Sequence, residues 1–420
     1  MAILNTSKED SISRRSSDQS QTYSLWQGFA TSLAAFLVAN IALGLFLYSL
    51  LEFLTPNADR DNSFSLLLLA SGFFTVAFLL IPPAILAFWR VIGQPIPAWI
   101  YRLRLPPLSV LLILYPLVLL LGNWVSGHLM SAFLFLPFLH IMAIGIPIAV
   151  ILKISLGGLN ATSLQRKWGV FSIGLTLSPL TIFVLELFAF VFPLLLLTIW
   201  ISRDPERVEQ LRQLSETLRQ PFADPNELVR LLQPYLIEPA VVLTFLFFAA
   251  LVVPLIEEAI KPLGVWMIYG RTKGELDGFV SGALCGGGYA LLESFMLGST
   301  NTEWLVAVIG RSGTGAIHVF TTALVGAALT GAWQSRRYLR LLIAYGVSVF
   351  FHGIWNGFAI LAALRGLYET EQGFWSLPFV ANLALTAPLF IVILACLAIL
   401  GLWIFNRRIQ KDWSTIVSTE

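Results

Sequence analysis

Charge is scarce in this chain: 12% of its 420 residues are Asp, Glu, Lys or Arg, while 57% are hydrophobic. A soluble globule ordinarily carries about twice that share of charge, so a water-covered surface of ordinary composition is excluded. Short alternating apolar segments are also missing, which sets aside a closed β-barrel. Cysteine is limited to Cys285 and Cys396, both in apolar runs. Two such residues make neither a disulfide framework nor a thiolate metal site, and they read as small core residues. The net charge of +2 gives no basic field for nucleic acid, so no nucleic-acid partner is expected. A cleavable signal is lacking as well, because "MAILNTSKEDSISRRSSDQSQTYSLWQ" stays polar and Ser-rich too long before the first apolar run.

What is present is a series of apolar blocks of about 20 residues or more, long enough to cross roughly 30 Å of hydrocarbon as helices. The reading is an all-α, polytopic transmembrane helical bundle in contact with the lipid bilayer. About ten spans are expected, at 29–53, 64–89, 107–126, 130–152, 168–200, 240–268, 276–298, 304–333, 341–364 and 378–405. Residues 1–28 read as a disordered cytosolic tail, 29–200 as a five-span scaffold, 240–405 as a five-span catalytic bundle and 406–420 as a cytosolic tail. Residues 201–239 form an extramembrane connector with two short helices, since Asp204-Pro205 and Asp224-Pro225 each place an N-cap acid before a proline at the first helical position. Lys and Arg concentrate on alternate loops, among them Arg102, Arg104, Lys273, Arg336 and Arg337. That bias puts both termini in the cytosol, with the plasma membrane of a bacterium as the expected location.

Ionisable residues inside apolar helices are costly and mark function by default. In "LIEEAIKPLGVWMIYG" the Lys261 ammonium can reach back to Glu257 four residues away and Glu258 three away. Adjacent carboxylates in low dielectric need such a cation to stay ionised together. The next helices add Glu293, in the glycine-rich "GALCGGGYALLESFMLG", then His318, then His352 with Asn356 one turn later. Glutamates and imidazoles converging in a membrane suit general-base activation of water, and equally a zinc ion held by His and Glu; the residue pattern leaves both open. Glu52, His128, His140 and Glu186 in the first half are expected to serve packing rather than chemistry, and Arg311 reads as a loop residue.

"EEAIK", "YALLE", "HVFTTALVG" and "HGIWN", in that order on successive apolar helices, resemble the PrsW family of intramembrane proteases, which is related to the CAAX prenyl proteases and bacteriocin-immunity proteases. The resemblance covers about 240–364 and the last span. It implies an endopeptidase acting on a membrane-anchored protein substrate, such as a regulatory anti-sigma factor, with Glu257 activating water, Glu258 orienting it and Lys261 holding the pair. Glu293, His318 and His352 would complete the site, or hold Zn if the site is metallated, and Asn356 would orient its end. Asn356 stands where the family often has Asp, which removes a carboxylate ligand and favours a metal-independent glutamate mechanism. Two readings compete. A proton-coupled transporter would use the same residues as a relay, although no internal repeat supports it. A non-catalytic membrane binding protein would keep the scaffold without the chemistry.

Overall fold

The computed structural model describes residues 3–55, 60–98, 100, 105–159, 162–219, 225–236, 238–272, 274–296, 304–368 and 378–419. Asp224, Arg102, Arg104 and Lys273 lie outside them. The described residues contain helices and no strands. The first half comprises α1 (Ile3–Leu54), α2 (Arg60–Leu79), α3 (Ile81–Val91), α4 (Leu108–Ser126), α5 (Leu129–Leu156), α6 (Leu164–Leu175) and α7 (Leu177–Ser202). The connector holds α8 (Pro205–Thr217) and α9 (Pro225–Leu236), and Asp204 caps α8 by accepting the Glu206 N–H at 3.1 Å. The second half comprises α10 (Pro239–Phe247), a π-helical turn (Phe248–Val252), α11 (Val253–Ile260), α12 (Leu263–Trp266), α13 (Glu275–Phe295), α14 (Trp304–Ser335), α15 (Tyr338–Tyr368) and α16 (Pro378–Thr419). Helix α1 begins at Ile3, so the polar leading stretch expected to be irregular continues the helix, and its apolar span is Thr22–Leu54.

Nine segments among the described residues are long and apolar enough to cross a membrane: this is an integral membrane protein. The tenth expected span is α13, which falls short in hydropathy for a physical reason. Gly282, Ala283, Cys285, Gly286 and Gly287 are all buried by neighbouring helices, so α13 meets protein rather than lipid and needs no apolar surface. Between lipid-solvated helices there is no hydrophobic driving force, and close packing of small residues takes over. At Gly286 a Cβ would come within 2.5 Å of the His318 carbonyl, and at Gly288 within 2.5 Å of the Phe171 carbonyl. Helix α13 is thus clamped backbone to backbone between α14 and α6. Leu180, Phe183, Leu187 and Phe188 of α7, by contrast, point outward into the apolar surround. Cys285 is buried and Cys396 exposed, both free.

One span is broken into pieces. Pro254 has no N–H for the Ala250 carbonyl, and its ring would crowd that oxygen in a regular helix; the chain widens into the π-turn just before it. Pro262 ends the next piece, so α11 stops at Ile260. The three charges of "EEAIK" therefore sit on a short helix with a break on either side.

Candidate active site

Lys261 is the centre of the polar cluster. Its side chain is fully buried, with Nζ 2.7 Å from Glu257 Oε2 and 2.8 Å from Glu258 Oε1. The same ammonium donates to His318 Nδ1 at 2.7 Å, and His352 Nδ1 lies 3.3 Å away. It also stands 4.9 Å over the Tyr289 ring, within cation–π range. Helices α11, α13, α14 and α15 therefore converge on one ammonium.

With Lys261 as a donor, these contacts assign the ring hydrogens. An ammonium can only donate, so His318 Nδ1 accepts and its proton resides on Nε2, which donates to Glu293 Oε2 at 2.5 Å. His352 Nδ1 lies 2.9 Å from Glu258 Oε1, the shorter of its two contacts, and donates there. Its Nε2 is then bare and faces Glu257 Oε2 at 3.8 Å. Two acceptors facing each other at that separation are suited to a shared water or cation between them.

Glu293 stands at the rim, 35% exposed, and is held by Arg311 of α14 at 3.0 Å. Arg311, expected in a loop, is a site-bordering helical residue. Another arrival comes from the first half. Glu186 of α7 places its carboxyl within hydrogen-bonding reach of Glu257, and its Oε1 is buried without a hydrogen-bond partner. His140 behaves as expected for packing, accepting from Trp304 Nε1 at 3.2 Å. Glu52 bonds Asn62 at 2.8 Å near a helix end, and His128 contacts the Trp124 carbonyl at 3.0 Å; neither approaches the cluster.

Asn356 donates to the Ala249 carbonyl at 3.0 Å. That oxygen belongs to the π-turn, where the regular helix ladder is interrupted, so Asn356 ties α15 to the irregular turn that precedes Glu257. Beside this tie an apolar groove of about 440 Å³ opens between the π-turn and α15, lined by Leu246, Ala250, Gly346, Phe350, Gly353 and Phe358 among others. Gly353 directly follows His352, so the groove and the polar cluster adjoin.

The comparisons bear directly on this half of the chain. A family model described as PrsW family intramembrane metalloprotease matches residues 227–397. Residues 227–397 are a PrsW-type protease domain. The chain is accordingly a peptidase with a membrane-embedded protease domain, and the four motifs named from sequence all fall inside the match. Comparison with curated proteins and with solved structures gives no significant match.

The word metalloprotease implies a metal, and the PrsW-type domain offers donors for one. Glu257, His318 and His352 present ligand atoms that all lie within 4.8 Å of one another. Two imidazoles and a carboxylate are a donor set that zinc accepts in hydrolases, and the bare His352 Nε2 facing a Glu257 oxygen is a lone pair in want of a partner. The residues fit. Glu293, anticipated beside the two histidines, is not among those three: it takes the His318 Nε2 hydrogen, as the carboxylate behind a ligating histidine commonly does.

Proposed function

We propose that the PrsW-type domain hydrolyses a peptide bond of a membrane-anchored protein, with Glu257 as the general base. The observation that carries the reading is the facing pair, Glu257 Oε2 and His352 Nε2, 3.8 Å apart. A water between them gives its proton to Glu257 as its oxygen attacks the scissile carbonyl. The oxyanion that forms meets the positive potential of the Lys261 ammonium. The proton then passes from Glu257 to the departing amine as the C–N bond breaks, leaving a carboxylate and an amine. Glu258 fixes the His352 ring through Nδ1, and Glu293 does the same for His318. Asn356 serves the site by holding the π-turn. If zinc were bound, Glu257, His318 and His352 would hold it after Lys261 left His318 Nδ1 and Glu257. Glu257 would then be a ligand rather than the base, and the metal would supply Lewis-acid polarisation and a more acidic water.

Both the groove and the scarcity of charge around it support an apolar substrate segment rather than a soluble peptide. The distribution of Lys and Arg supports cytosolic termini; a bacterial plasma membrane is the location we infer.

The test is cleavage in proteoliposomes of single-span membrane proteins labelled at both ends. Glu257→Gln is expected to lower the rate by about 10²–10⁴ in protein that still elutes as wild type. Unchanged cleavage by Glu257→Gln would remove Glu257 as the base. Exhaustive chelation followed by zinc addition reads out the metal: loss and recovery support zinc, and full activity after chelation rules it out.

A further inference from the structure

We infer that Glu186, on a helix outside the family match, is a positioning residue of the active site, so the protease centre is completed by the N-terminal half. This rests on the protease reading above. The placement is built from contacts between residues 178 and 190 of α7 and the broken span rather than from one contact. Ser178, at the start of α7, donates to the Lys261 carbonyl at 3.3 Å. Phe190, further along, meets Phe248 at 5.2 Å and Phe245 at 6.0 Å between ring centroids. Between those anchors, Ser178, Ile182, Glu186 and Phe190 recur every four residues, one stripe of a helix. The stripe runs antiparallel to the broken span, from Lys261 back to Phe245, and Glu186 lies between those anchors, from where its carboxyl reaches Glu257.

The chemistry of that encounter is unlike packing. Glu186 has a buried oxygen without a hydrogen-bond partner, and the carboxyl it faces is already shared with the Lys261 ammonium. A residue kept only to fill space between α7 and α11 would be apolar, as Ile182 one turn away is. A carboxyl here limits where the Glu257 side chain can turn and walls the base from the α7 side. Helices α11, α13, α14 and α15 supply the other groups, and α7 closes the remaining side.

The experiment uses the full chain with Glu186→Leu, Glu186→Gln and Glu186→Asp, reading cleavage rate and melting temperature together. Glu186→Leu and Glu186→Gln are expected to lower kcat by about 10–100-fold, the usual cost of losing an orienting partner, with KM within about twofold. Glu186→Asp is expected to recover part of the rate. Melting temperature is expected to rise in Glu186→Leu, because a carboxyl without a full set of partners leaves the helix contact. A double-mutant cycle in melting temperature with Glu257→Gln should be non-additive, since the two side chains touch. Glu186→Leu that cleaves at the wild-type rate overturns the proposal, as does a lower melting temperature with rate loss matching the unfolded fraction. Because the melting cycle needs no substrate, additive melting effects overturn it even if no cleavage is found. Failure of the wild type to cleave any reporter, with the non-additive cycle intact, would instead overturn the protease reading.

Discussion

Two ionic contacts on α13 and its neighbours differ in kind. Arg166 of α6 and Asp277 of α13 meet at 2.7 Å, one cation to one carboxylate, joining the two halves of the chain. A few turns away, Glu186, Glu257, Glu258 and Glu293 gather around Lys261 and Arg311, with two imidazoles among them. The first arrangement brings one carboxyl against one cation. The second holds more carboxyls than cations, which packing alone does not call for, and such a surplus is what a proton-transfer or metal site needs. Counting charges helix by helix hides the distinction; counting partners shows it.

Removing the central cation should do the most damage. Lys261→Met strips Glu257 and Glu258 of their shared partner while both stay buried, and breaking a buried pair of this kind costs about 3–5 kcal/mol. Chemical denaturation in detergent should show that loss together with the disappearance of cleavage. If Lys261→Met melts as wild type, the carboxyls do not depend on the ammonium and the cluster has been misjudged. The matched pair is the control. Arg166→Met leaves Asp277 buried but removes a cation whose side chain is 25% exposed, so water can stand in, and the cost should be about 1–2 kcal/mol. Cleavage per folded molecule should not change. A rate loss in Arg166→Met equal to that of Lys261→Met would erase the contrast between the two sites.

The same contrast explains what the sequence made legible. Glu257, Glu258 and Lys261 were readable because helical spacing alone puts them in contact, and His318 and His352 because each is a rare polar residue in an apolar helix. Their order along the chain carried the family. Glu186 and Arg311 were not readable as site residues. One charge on a helix does not say which helix lies opposite, and the pairing of α7 with α11 depends on breaks at Pro254 and Pro262 that set the rotation of the "EEAIK" segment. The central position of α13 was hidden for the opposite reason: its glycines suggested close approach, but not approach on two sides at once. Spacing makes Asn356 polar company for His352 on one helix face, while its partner, the Ala249 carbonyl, follows from a π-turn that periodicity does not announce.

The groove permits a gentler test, because it touches the site without belonging to the charges. A Cβ at Gly346 would meet no atom within 4 Å, so Gly346→Phe fills space without disturbing the helix contacts. The expected result is a fall of about tenfold in kcat/KM on a transmembrane substrate, roughly the value of losing one buried apolar contact. Cleavage of a short detergent-soluble peptide should be unaffected. Equal losses on both substrates would mean that the groove supports the fold and not the substrate.

The smallest effect is expected on the connector, where charges are plentiful and exposed. On α8, Arg212 bridges Glu209 and Glu216 at 2.8 Å in each case. Hydrogen bonds from Arg212 hold the Glu209 carboxyl down at about 2. A carboxyl depressed in the fold stabilises it above the ordinary carboxyl range of about 4.3, and that contribution fades as pH falls toward 2. Both side chains are in water, however, so screening leaves little of it. Arg212→Ala should return the Glu209 titration toward the ordinary range in a carboxyl NMR experiment, while melting temperature and cleavage stay at wild-type values. Here the ion pairs are short but exposed, so water replaces either partner at little cost; around Lys261 the same distances matter more because the paired side chains are buried.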